Sequence, residues 1–195
     1  DSKGYNNDYM TLAQELRAVV SGGVDDSKEV REKYSRDASL FRVVPQVVVR
    51  PRDVEDLKKL VRFVSKERGA GRSLSLTPRA AGTDMSGGPL TESIVVDMLG
   101  FNKLLEVGDG YAVVEPGMYY RDFDRLTKAK GWELPSYTAS RDICTVGGMV
   151  ANDSGGEKTL RYGKTDRYVR RLNVVLSDGE EYVFRSQSRT ELDAK

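Results

Sequence analysis

The chain has 195 residues, with 31 Lys and Arg against 30 Asp and Glu, one cysteine and no histidine. Without imidazole it can build no Ser-His-Asp or Cys-His machinery, no His-ligated zinc or haem, and no general base whose ordinary pKa lies near neutrality. A net charge of +1 spread over mixed signs argues against nucleic acid as a partner, a lone Cys144 excludes an internal disulfide and favours a reducing, cytoplasmic setting while leaving a bacterial extracytoplasmic one open, and no apolar run approaches the roughly 18 residues of a membrane helix.

Taken in chain order, residues 8–20 place Leu12, Leu16 and Val19 at helical spacing, with Asp8 as N-cap and Ser21-Gly22-Gly23 as the stop. The run Pro45 to Pro51 is β-branched and closed by prolines, which predicts a buried or edge strand. Asp53 then caps a helix whose Val54, Leu57, Leu60, Val61 and Val64 form one face up to Gly69. A strand over Ser73 to Thr77 completes a β-α-β unit. Ile94 to Asp97, Leu104 to Val107 and Ala112 to Glu115 read as strands of a meander, and Tyr119 to Lys130 as a helix stopped by Gly131. Leu172 to Leu176 and Glu181 to Phe184 flank Asp178-Gly179, a hairpin signal, and the polar tail from Ser186 to Lys195 is expected to fray. The class is α+β.

Glycine is concentrated in two places. One cluster runs from Thr77 to Gly88, directly after the second strand of the β-α-β unit; the other runs from Thr145 to Gly156. Glycine lets the backbone take φ > 0 and brings N–H groups close to a ligand, and interspersed hydroxyls add donors, so both clusters read as phosphate cradles or as plain turns. Neither is a familiar nucleotide motif. Gly163-Lys164-Thr165 ends like a P-loop, but position 158 is Lys158 rather than glycine; around Gly82, Ala80 and Met85 stand where a Rossmann fingerprint needs glycines.

The succession Tyr34-Ser35-Arg36-Asp37-Ala38-Ser39, Pro45 to Pro51 with its helix, and Pro78-Arg79-x-x-Gly82-Thr83-x-x-Ser86-Gly87-Gly88 resembles the FAD-binding domain of the vanillyl-alcohol oxidase / p-cresol methylhydroxylase (PCMH-type) flavoproteins. Val113 to Gly117, Pro135 to Ser140, Thr145 to Gly148, Asn152-x-x-Gly155-Gly156 and Tyr162-Gly163 follow in the family's order. The similarity runs from about residue 34 to 185, and its nearest branch is that of D-lactate dehydrogenase and glycolate oxidase.

The resemblance implies a two-lobed FAD-binding domain: an N-terminal helical extension over 1–33, a small β-α-β lobe over 34–103 with its pyrophosphate loop at 78–88, a larger mixed or antiparallel lobe over 104–185, and a tail over 186–195. It implies FAD contacts for Arg79, Ala80, Ala81, Gly82, Thr83, Asp84 and Ser86 in the first loop, and for Ser140, Thr145, Gly147, Gly148, Ala151, Asn152 and Gly155 in the second. A helix starting near Val146 would point its N-terminus at the pyrophosphate. For Arg79 a solvated or structural role is the competing reading. The resemblance further implies a flavin-dependent dehydrogenase or oxidase of a 2-hydroxy acid, with the chain stopping before a substrate-binding cap domain that carries most catalytic side chains; a cofactor-free module of the same fold is the alternative. Many relatives attach flavin through histidine. With no histidine here, and Cys144 read as a core thiol, FAD is expected to bind noncovalently.

Overall fold

The computed structural model describes residues 10–193. Its first layer is a four-stranded sheet in the order β1 (Gly23–Asp25), β2 (Val47–Arg50), β4 (Ile94–Asp97), β3 (Leu76–Arg79). β1 runs antiparallel to β2, while β4 pairs in parallel with both β2 and β3, aligning Val47 and Leu76 with Ile94. The strand alternation sorts the apolar residues between two faces. Val47, Val49, Ile94 and Val96 join Leu16 of α1 (Leu12–Val19) and Leu60 and Val64 of α3 (Val54–Gly69), whereas Val48 and Val95 meet Tyr34 of α2 (Lys28–Tyr34) on the other face. A strand covered on both sides needs an unbroken apolar run, which Val47-Val48-Val49 and Ile94-Val95-Val96 supply.

Several expectations are corrected here. Ile94–Asp97 is no meander strand: it inserts between β2 and β3, so the β-α-β crossover skips over it. The strand expected at Ser73 to Thr77 is shifted to Leu76–Arg79. Pro78 is tolerated there because β3 is an edge strand. The first helix starts at the Thr11 cap, where a capping box with Gln14 closes its first turn; the cap expected at Asp8 lies outside the described residues. The stretch ahead of Tyr34, expected as a helical extension, also contains a strand, and supplies β1, α1 and most of α2 to the first sheet and its core. Asp53 caps α3 as expected, accepting from Asp56 N at 3.0 Å.

Asp56 itself ties the layers together. It is 1% exposed and accepts from Ser21 N at 2.8 Å, Gly22 N at 2.8 Å and Arg52 N at 2.9 Å. Burial pushes its pKa up, but the three backbone donors outweigh that and hold it below 3.8. A carboxylate with a depressed folded pKa stabilises above its unfolded value and loses that contribution as pH falls below 3.8. Asp56→Asn is therefore expected to lower stability at neutral pH by about 1.5–3 kcal/mol, and to flatten the acid limb of a urea-midpoint profile. An unchanged acid limb would remove Asp56 from this role.

The second layer begins with the antiparallel ribbon of β5 (Leu104–Gly108) and β6 (Tyr111–Val114), followed by α4 (Tyr120–Lys128) and α5 (Val146–Ala151). Met118, Tyr120, Phe123, Cys144 and Met149 form its core. After the short helix α6 (Thr159–Tyr162) and a 3₁₀ turn at Thr165–Tyr168, β7 (Arg171–Val175) and β8 (Glu181–Arg185) make the expected hairpin. The hairpin's turn reaches back to the first layer: Ser65 Oγ of α3 donates to Ser177 O at 2.7 Å, and Arg62 pairs with Glu180 at 2.5 Å. The tail, expected to fray, forms one helical turn, α7 (Arg189–Asp193), held to β8 by Arg185 and Glu191 at 2.5 Å. No helix among the described residues is long and apolar enough to cross a membrane.

Candidate functional site

The first glycine loop leaves the carboxyl end of β3. The O of Arg79 accepts from Met98 N at 2.8 Å, and the chain then turns through Gly82 at φ +68. A side chain at Gly82 would be strained at that φ and would also run into the Arg79 guanidinium, which lies against it. That guanidinium is committed to the protein: Nη1 donates to Tyr34 O at 3.0 Å and Nη2 to Arg36 O at 2.7 Å, over the face of the Tyr34 ring at 5.1 Å. Desolvation pulls the Arg79 pKa down, and Tyr34, Asp37 and Asp97 push it back up. Ala38 N donates to Gly82 O at 3.1 Å, so the Tyr34 to Ala38 segment and the loop are stitched together.

The loop's remaining groups divide into two sets. Asp84 accepts from Ser86 Oγ at 2.7 Å, Gly88 N at 2.8 Å and Ser86 N at 3.0 Å, and these donors hold its carboxyl below the ordinary value. Asp84 and Ser86 thus brace the far side of the loop. Among the described residues, the N–H groups of Ala81, Gly82 and Thr83 have no protein acceptor. Half-buried amides without a partner are costly unless water or a ligand accepts from them. Ala80 stands half-buried at the base of this run.

The second glycine loop is arranged differently. α5 begins at Val146 as expected, with Thr145 as N-cap, but its first amides are already bonded. Val146 N donates to Met118 O at 2.9 Å, Gly147 N to Pro116 O at 2.8 Å and Gly148 N to Thr145 Oγ1 at 3.2 Å. Gly156 N donates to Thr159 Oγ1 at 2.7 Å, and a Cβ at Gly156 would enter Tyr137 O. Gly155 packs on Thr159, Ala151 and Asn152 are exposed at the end of α5, and Asn152 Nδ2 donates to Ser154 Oγ at 3.3 Å. Ser140 Oγ lies 2.9 Å from Thr138 Oγ1, and its carbonyl accepts from Cys144 N at 2.8 Å. Cys144 is 3% exposed, with its sulfur against Thr138.

A cavity of about 400 Å³ opens between the two layers. Asp37, Ala38, Ala81, Gly82 and Thr83 line one wall, and Tyr119, Arg121 and Ile143 the other. Of the expected contact residues, the structure brings Ala81, Gly82 and Thr83 to this cavity; those of the second loop do not line it. Sequence reasoning missed Asp37, Ala38, Tyr119, Arg121 and Ile143. For Asp37 and Ala38 the signal lay in their place in the motif before the first loop; for Tyr119 and Arg121, in the aromatic and cationic start of α4 after the Gly117 turn. Chemically, loop amides without a protein acceptor on one wall and a guanidinium on the other can take an anion. Among the described residues no group of three or more Cys, Asp or Glu is placed to hold a metal.

Residues 45–185 match the family described as an FAD binding domain. The chain is 33% identical over 168 residues to the glycolate oxidase subunit GlcD of Bacillus subtilis, an alignment covering 83% of this chain and 35% of the relative. It is 31% identical over 175 residues to D-2-hydroxyglutarate dehydrogenase of Escherichia coli, covering 88% of this chain and 17% of that protein. A solved alkyldihydroxyacetonephosphate synthase superposes with a TM-score of 0.75 at 21% identity, over 89% of this chain and 37% of its own, a likeness of fold. The chain thus spans about a third or less of the length of these curated relatives.

Proposed function

The chain belongs to the FAD binding domain family, and from that membership we propose that it holds the pyrophosphate of FAD on the open amides of Ala81, Gly82 and Thr83, within a flavin-dependent enzyme that oxidises a small 2-hydroxy acid. The observation that carries the site is the unpaired state of those three N–H groups on one wall of a cavity. The residues present fit the group: fixed N–H dipoles suit a dianion, and glycine at position 82 lets the backbone take φ +68 on the cavity wall. Arg79, Asp84 and Ser86 contribute by shaping the loop, Arg79 through Tyr34 and Arg36, Asp84 through Ser86 and Gly88. In the second loop Thr145, Gly147 and Gly148 would contribute by packing and exposed Ala151 and Asn152 by direct contact, with Ser140 and Gly155 beside them.

Attachment is noncovalent in this reading, supported by the absence of histidine and by a Cys144 sulfur enclosed in the core. Bound FAD would supply a two-electron acceptor, while the protein orients it and sets its electrostatics. The 2-hydroxy acid follows from the two relatives, whose names specify glycolate and D-2-hydroxyglutarate. We assign substrate selection and the proton-accepting base to a cap domain outside these residues. We assign the enzyme to the cytoplasm, in keeping with its single free thiol. A cofactor-free module is the second reading, favoured by the internally paired amides of Val146, Gly147 and Gly148.

Titration of the purified chain with FAD decides between them. FAD at a hundredfold excess over its Kd is expected to stabilise by about 2.7 kcal/mol, a rise in Tm of roughly 5–10 °C for a domain this size, together with a shifted visible flavin spectrum. Gly82→Val should abolish both signals at unchanged secondary structure. No shift with FAD in the parent chain would favour the cofactor-free reading.

A further inference from the structure

We propose that Arg121, on the wall facing the first glycine loop, supplies the positive charge that meets the cofactor's pyrophosphate. The assignment rests on the FAD reading above and adds a contact from the second layer. Two guanidinium groups lie near the open amides, and they differ in availability. That of Arg79 is turned back into the protein on the Tyr34 and Arg36 carbonyls. Asp37, the one carboxylate among the described residues lining the cavity, accepts from Ser39 N at 2.8 Å through one oxygen; its other oxygen is buried without a hydrogen-bond partner, and its charge favours the cationic form of Arg79. Asp37 thus stands in the cavity wall, where the charge of Arg79 only partly meets its own.

Arg121 lines the same cavity from the opposite side. One nitrogen, Nη1, donates to Asp142 O at 2.6 Å, and the guanidinium lies over the Tyr119 ring at 4.4 Å. Among the described residues no carboxylate comes within ion-pair distance of it. The stacking and the carbonyl contact fix the plane of the fork while leaving donors free, the arrangement in which Arg recognises phosphate oxygens. An anion resting on the amides of Ala81, Gly82 and Thr83 would have Arg121 on the wall opposite, and among the described residues lining the cavity there is no other cation.

The test is the affinity of the chain for FAD and for ADP, which shares the pyrophosphate but lacks the flavin, measured by calorimetry at low and high salt. Arg121→Gln is expected to weaken both ligands about tenfold and to flatten the salt dependence, since the lost interaction is between partly solvated charges. Arg121→Lys should restore part of the affinity, and the exposed position should leave the melting temperature of all three proteins alike. Parent-like affinity and salt dependence in Arg121→Gln would overturn the assignment while leaving FAD binding intact. A parent chain that bound neither ligand would overturn the FAD reading itself, and this contact with it.

Discussion

Gly147→Ala is expected to destabilise the fold by about 3 kcal/mol, lowering the melting temperature by roughly 6–12 °C. A Cβ at this position would stand 2.5 Å from Pro116 Cβ and 2.6 Å from Pro116 O. Neither neighbour can retreat. Gly147 N draws the Pro116 carbonyl in by a 2.8 Å hydrogen bond, and Gly117 N donates to Phe101 O at 2.7 Å, pinning the next residue of the turn. Overpacking against backbone leaves no flexible side-chain end to swing away. Gly148 is the control in the same helix: its Cβ would meet only Thr145 Oγ1, at 3.2 Å, so Gly148→Ala should change stability by less than about 1 kcal/mol. Thermal melts of the two variants settle the matter, and equal losses would show that the glycines are not there for packing.

Removing the carboxylate of Asp97 is expected to have the largest effect of any single truncation in the first layer, about 3–5 kcal/mol for Asp97→Ala. Asp97 is 6% exposed, accepts from Tyr34 Oη at 2.6 Å and from Leu99 N at 3.0 Å, and forms an ion pair with Arg50 Nε at 3.4 Å. Burial, then the hydrogen bond to Asp97, pushes the Tyr34 phenol up to about 12, so it stays a donor throughout the neutral range. Alanine would leave a buried hydroxyl and an amide without their acceptor, and Arg50 with only its 3.7 Å pair to Asp25. The effect should also reach the first glycine loop. Tyr34 O holds Arg79, and Arg79 lies under Gly82, so a loosened Tyr34 releases the loop that carries the open amides. Urea unfolding gives the stability and FAD titration the affinity; a variant that lost less than 1 kcal/mol, or lost stability with no change in affinity, would break the link from Asp97 to the loop.

Where signals are local, the sequence could be read closely. The Asp53 cap with its apolar face brackets Val54–Gly69, and Asp178-Gly179 between apolar runs marks the β7–β8 hairpin. Ile94–Asp97 was legible as a strand but not as the one between β2 and β3, because strand order depends on pairing across more than forty residues, which periodicity does not encode. β1 was not legible at all: Gly23-Val24-Asp25 is a strand only because Val48, Val49 and Arg50 lie beside it. α2 was equally easy to miss, since Val30 and Tyr34 alone form its apolar face. The shift of β3 toward Arg79 has the same origin, as the parallel register with Ile94–Asp97 overrides the local Ser-Leu alternation before it.

The amino-acid sequence by itself determined that these residues contribute no imidazole, that the chain is α+β, and, through two ordered glycine clusters, that it belongs with the FAD-binding domains. Each of these depends on which residues are present and in what order. Only the tertiary structure decided which glycines leave their amides open and which are packed under a neighbour. The two clusters look alike as strings, yet the amides of Ala81, Gly82 and Thr83 are open while those of Val146 and Gly147 are bonded to Met118 and Pro116. Whether an N–H is free is set by the nearest carbonyl in space. For the second loop that carbonyl arrives from a turn some thirty residues earlier, brought there by the core of Met118, Tyr120, Phe123 and Met149.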